Sequence, residues 1–221
     1  MVLVFGLIAS VPTRAAVSGQ ECLAEMQRSD FRWFPRGLRG GGDPHLIPRY
    51  STDAERRKLG DILWPNDLSA RASVRGWLLK DMFGCVEQAF DDLDQANAKY
   101  PNGSTKVLSF MGGVADYASA KNGLTEDDVA DLIGRWKAQY PKSILAELAW
   151  PRLLSAAAWN ERGTGYADSV SAEAWEAFKR MNKKALEKVN TVSPAAKSHL
   201  LWQYVSLRVR ADNGTPAAEH E

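Results

Sequence analysis

The side chains best suited to chemistry lie in "AWNERGTGYADSVSAEAWEAF", residues 158–178. Glu161 and Asp168 supply two carboxylates, which glycosidase-type chemistry needs at a fixed separation. Arg162 and Tyr166 add hydrogen-bond donors, and Gly163 and Gly165 let the chain turn. A nucleophile paired with a base is not evident in the pattern, so the same residues read more readily as a structural clasp bordering a binding surface. In that reading Arg162 ties the segment down by bonding backbone carbonyls or Asp168. Trp159 and Trp175 pack across the hairpin, and Gly163 and Gly165 take up positive φ. The expected binding residues are Trp159, Glu161, Arg162, Tyr166 and Asp168, the expected structural ones Gly163, Gly165 and Trp175, and no catalytic residue is assigned.

Other chemistries find weaker footing. His45, His199 and His220 are scattered, and neither H-E-x-x-H nor triad spacing occurs. "RGGGDPH" at 39–45 lacks the lysine and helix start of a phosphate loop. "MQRSDFRWFPRGLR" mixes arginine with aromatics as single-strand binders do, yet suits a leader lying along the first helices. Glu126, Asp127 and Asp128 follow Thr125, which places them at the positive end of a helix dipole instead of around a metal. Lys179, Arg180, Lys183, Lys184 and Lys188 form a basic face that Glu176 and Glu187 can neutralise at helical spacing. No metal and no cofactor is expected.

The elements that must position the clasp are helical. "AKYPNGSTKVLSF" begins at Ala98 and "AQYPKSILAELAW" at Ala138, an offset of 40 residues. At that offset Leu93 meets Ile133, Tyr100 meets Tyr140, Pro101 meets Pro141 and Phe110 meets Trp150. Periods of this size mark stacked helical hairpins, here over 86–120 and 126–160. Val86, Ala89, Phe90, Leu93 and Ala96 form one apolar face. A helix is expected from about Ser104 to Ala120. Trp175, Phe178, Met181, Ala185 and Val189 line another face after Ser171. A third unit ends at Pro194. The interval from Pro141 is 53 residues, 13 more than the first offset, and "ERGTGYADSVSAE" lies where the extra residues must go.

Ala89, Leu93, Ala96 and Pro101 fit A-x-x-x-L-x-x-A-x-x-x-x-P, which resembles the second helix of a tetratricopeptide repeat. Ala158, Trp159, Arg162, Gly163, Gly165, Ala167 and Val170, followed by Trp175 and Phe178, resemble an uncharacterised bacterial domain family. Its signature is A-W-x-x-R-G-x-G-x-A-x-x-V followed by W-x-x-F. The resemblance spans about Arg75 to Arg210 and is specific at this segment. Pro151 departs from the family's uninterrupted helix and is expected to kink it. The resemblance implies an all-α fold, antiparallel helical hairpins stacked as a tetratricopeptide-like right-handed solenoid, and carries no activity with it.

Composition bounds the rest. The chain has 221 residues, 45% hydrophobic and 25% charged, with formal net charge +1. That fits a globular or helical-repeat domain and argues against a general nucleic-acid or membrane-surface binder. Val2 to Val11 form an apolar run too short to span a bilayer, with Ala16-Val17-Ser18 as a cleavage site. The run lacks a basic residue before it. The expected organisation is a signal peptide at 1–19, an irregular lead at 20–66, a helical-repeat domain at 67–211 and a loose tail at 212–221. Location would then be periplasmic or secreted, with no integral membrane segment in the mature chain. Cys22 and Cys85 can pair if the protein is exported. Stacked hairpins present a concave surface for another protein or peptide. The expectation is therefore a non-enzymatic interaction or scaffold module of the bacterial envelope. A periplasmic enzyme using the 161–168 loop, and an immunity-type protein that blocks a toxin, are the alternatives.

Overall fold

A helix with apolar residues on nearly every side ought to sit at the centre of an all-α protein, because it has little face to give to water. "ILAELAWPRLLSAAAWNER" is that helix. In the computed structural model, which describes Cys22 and residues 67–100, 103–121, 123–163 and 165–214, it is α5, Ile144–Arg162. Its residues from Leu145 to Ala158 are almost all buried, and α5 packs against more of the other helices than any other element does.

The remaining described elements are α1 (Asp67–Leu79), α2 (Phe83–Gln95), α3 (Leu108–Ala120) and α4 (Glu126–Gln139) before it. After it come a 3-10 turn (Ala167–Ser169), α6 (Ala172–Asn190), α7 (Pro194–Lys197) and α8 (Leu200–Asp212). The described residues are thus all-α; their one β feature is an isolated bridge between Lys99 and Thr105. The expected signal peptide, the lead after Cys22, its arginine–aromatic and glycine-rich stretches, His45, His220 and the end of the tail lie outside the described residues.

Local chemistry sets the helix starts. Thr125 Oγ1 accepts from Asp128 N, and Asp128 Oδ2 accepts in return from Thr125 N at 2.9 Å, a reciprocal capping box. Hydrogen bonds from the Thr125 hydroxyl and amide hold the Asp128 carboxyl below its ordinary range. Ser143, Ser171 and Ser193 cap α5, α6 and α7 through their hydroxyls. The expected helix from Ser104 starts later, at Leu108. Ala98 to Tyr100 first pair with Ser104 to Lys106: Lys106 N donates to Ala98 O at 2.8 Å and Tyr100 N to Ser104 O at 2.9 Å. Those bonds satisfy backbone groups that a helix would otherwise claim.

Packing follows from side-chain size. A β-carbon on Gly113 of α3 would come within 2.6 Å of Val74 Cβ and 2.8 Å of Arg71 O, so glycine allows α1 and α3 to cross this closely. Trp136 is fully buried and stacks on Phe83 at 5.3 Å, while Phe90 meets Phe110 edge-on at 5.6 Å. Phe178, Met181, Ala185 and Val189 bury one face of α6 against α5 and α8, and Trp175 is half-buried at its start. Cys22 is disulfide-bonded to Cys85 at the start of α2. Helix α5 continues through Pro151, where the absent N–H removes one bond of the ladder.

Candidate functional site

The last turn of α5 carries Trp159, Asn160, Glu161 and Arg162, so Glu161 and Arg162 are helical residues and not part of the loop. Gly163 ends the helix at φ +76°, with its N–H bonded to Trp159 O at 3.0 Å and Asn160 O at 3.1 Å. Space is open around it, so a side chain would be penalised by the left-handed backbone alone. Gly165 requires a correction. It does not occupy the positive-φ region. Its reason is steric: an added β-carbon would stand 2.5 Å from Ser169 Oγ. Ser169 Oγ is itself fixed, donating to Tyr166 O at 2.8 Å.

Arg162 gathers the segment. Its Nη1 donates to Gly163 O at 3.1 Å and to Gly165 O at 3.4 Å, so it is backbone carbonyls, and not Asp168, that hold it. Its guanidinium carbon lies 5.2 Å from the Trp159 ring centre and 4.9 Å from that of Trp175. Both distances fall within cation–π range. The two indoles also meet Phe178 edge-on, at 4.9 and 5.6 Å. The tryptophans are therefore joined across the hairpin by a cation on one side and a shared phenyl ring on the other. Trp175 Nε1 donates to Ala167 O at 3.5 Å, which brings the 3-10 turn onto the start of α6. At the other end Ser119 Oγ of α3 donates to Asn160 Oδ1 at 3.5 Å.

The outer face of this clasp is aromatic and acidic. Tyr166 is 91% exposed and Trp159 is 38% exposed. Glu161 and Asp168 are both exposed. Chemically, the surface can contact a partner through aromatic faces and accept hydrogen bonds through carboxylates.

Three polar sites, two buried and one half-buried, escaped the sequence reading. Glu87 of α2 accepts from Trp136 Nε1 at 2.6 Å and from Ser143 Oγ at 2.5 Å, joining α2, α4 and the cap of α5. Burial pushes its carboxyl above the ordinary range, although the bonds from Ser143 and Trp136 oppose this. Glu87 falls on the stripe of Phe83 and Phe90, which was the available signal. Arg152 of α5 is 9% exposed, and its placement amid leucine and alanine was the signal there. Asn182 of α6 is buried with neither side-chain amide atom bonded. His199 caps α8 through Nδ1, which accepts from Leu201 N at 3.1 Å. That leaves Nε2–H to donate to Asp94 Oδ1 at 3.1 Å.

Three of the five cations on the basic face of α6 meet neighbours, and of the two expected acidic partners Glu176 is engaged while Glu187 makes no such pair among the described residues. Lys184 pairs with Glu126 of α4, Lys179 with Glu176 at 3.0 Å, and Lys188 sits 3.7 Å from the Trp150 ring centre. Among the described residues no group of three or more His, Cys, Asp or Glu side chains could hold a metal ion, and no helix is long and apolar enough to cross a membrane. No family model, curated protein or solved structure matches the chain.

Proposed function

We propose that this chain is a non-enzymatic protein-interaction or scaffold module of the bacterial envelope, and that residues 159–170 form its contact surface. The observation that carries the reading is Tyr166, 91% exposed beside an arginine held between two tryptophans. Tyrosine, tryptophan and arginine are the residues that anchor protein interfaces. Anchors gain most when ordered beforehand, because association then costs less side-chain entropy. The carbonyl bonds of Arg162 and the Phe178 contacts provide that order.

The finer architecture belongs to the same proposal: hairpins stacked as a tetratricopeptide-like right-handed solenoid, as in the bacterial domain family that the 158–178 signature resembles. Close packing of α1 on α3 and of α3 on α5 supports it, since repeats stack equivalent helices against one another. The apolar run after Met1 and the Cys22–Cys85 disulfide support an exported protein.

The test places a photo-crosslinking residue at Tyr166 in cells of the source organism, with Lys142 as an exposed control. One crosslinked protein at 166 and not at 142 is expected. Identical patterns at the two positions would remove the proposed surface.

A further inference from the structure

We propose that Arg152 anchors a site for a small oxyanion, a carboxylate or phosphate group, at the seam of α5 and α8. The starting observation is a mismatch. Arg152 is 9% exposed, and its enclosed Nε has no hydrogen-bond acceptor. Nor does any carboxylate among the described residues form an ion pair with it. A guanidinium removed from water is costly unless something accepts its donors. In keeping with that, burial lowers its pKa.

Its surroundings favour an incoming anion. The charged groups acting on Arg152 are Arg208 and Arg71, both cationic, and the single carboxylate of Asp212. Asp212 is already engaged. Its Oδ2 accepts from Ser155 Oγ at 2.6 Å and lies 4.0 Å from Arg208 Nε. Arg71 is likewise committed, to Asp116 through two bonds of 2.9 and 2.6 Å. The spacing is regular. Tyr204, Arg208 and Asp212 recur every four residues on α8, and Arg152 and Ser155 lie one turn apart on α5. The Ser155–Asp212 bond joins the two stripes, one turn along α5 from the orphan Nε of Arg152 and beside the guanidinium of Arg208. Arginine presents paired donors that match carboxylate and phosphate oxygens. Asp212 is the carboxylate that would oppose an anion in this seam.

The experiment titrates the full chain with inorganic phosphate and, separately, with acetate, at constant ionic strength against chloride. The readouts are the melting temperature and the Arg152 Nε–H resonance. Saturable movement of that resonance with one equivalent bound is expected. A response to phosphate alone assigns a phosphoryl ligand, and a response to acetate assigns a carboxylate. Arg152→Met keeps the buried stem and should abolish the response. Should that variant fail to fold, Arg208→Gln, at a half-exposed position, is expected to weaken binding about tenfold and leave the fold intact. Asp212→Asn should tighten it. No movement of the resonance with either anion, or weaker binding in Asp212→Asn, would overturn the proposal.

Discussion

Replacing Arg162 by alanine tests whether the clasp holds the segment after α5. Two hydrogen bonds to carbonyls are lost, one at 3.1 Å and one at 3.4 Å. The longer one is weak, so together they contribute about 1–1.5 kcal/mol. Two cation–π contacts at a half-exposed site add about 0.5–1 kcal/mol each. Against this, the enclosed Nε of Arg162 has no acceptor, and removing it relieves about 1 kcal/mol of unpaired burial. The net cost is about 1–2.5 kcal/mol, which for a domain of this size lowers Tm by about 2–10 °C. Arg162→Lys keeps the charge but not the planar fork, and should recover less than half of the loss. A double-mutant cycle with Trp175→Leu should show coupling of about 0.5–1 kcal/mol. Thermal unfolding followed by circular dichroism reads all of these. An Arg162→Ala protein that melts within 1 °C of wild type, with no coupling to Trp175, would refute the reasoning.

Gly163→Ala and Gly165→Ala should each destabilise by about 1 kcal/mol, but Ser169→Ala should rescue only the second, since φ causes the first and a clash the second; urea unfolding of the three single variants and the two doubles decides. Glu87 keeps its proton to higher pH folded than unfolded, so the stability it supports is present below its ordinary range and lost as pH rises through the raised value. Glu87→Gln should therefore match wild type at pH 3.5, below the ordinary glutamate range, and exceed it at pH 8; a variant weaker at pH 8 in the same denaturation series would contradict this. The Cys22–Cys85 bridge closes a separation of 63 residues, worth about 4 kcal/mol on the chain-entropy account. Reduction, or Cys85→Ser, should lower the urea midpoint accordingly.

Periodicity made the helices legible, because apolar spacing encodes which face is covered. It placed the break between α5 and α6 and the caps at Thr125 and Ser171, where one residue and its near neighbours decide the outcome. Glycine identity was less informative. Gly163 and Gly165 look equivalent in the chain, yet one answers to backbone sign and the other to Ser169. Glu87, Arg152 and Asn182 were not readable as site residues, since their meaning depends on partners 49 or more residues away or on having none. The start of α3 was misplaced because the 98–106 turn spends its hydrogen bonds across the chain, which no period reports.

The central position of α5 also shapes how the protein is made. Helix α3, with α1 packed on it, closes onto a helix that the ribosome has not yet delivered. Ala120 and Arg162 are 42 residues apart, an interval of about 2–8 s at ordinary elongation rates. Throughout it, the face of α3 that α5 will cover stays open to water or to a holdase chaperone. A stall introduced before residue 144 should leave a nascent chain that binds chaperone and is cut by protease, whereas one stalled with α8 clear of the exit tunnel should resist both.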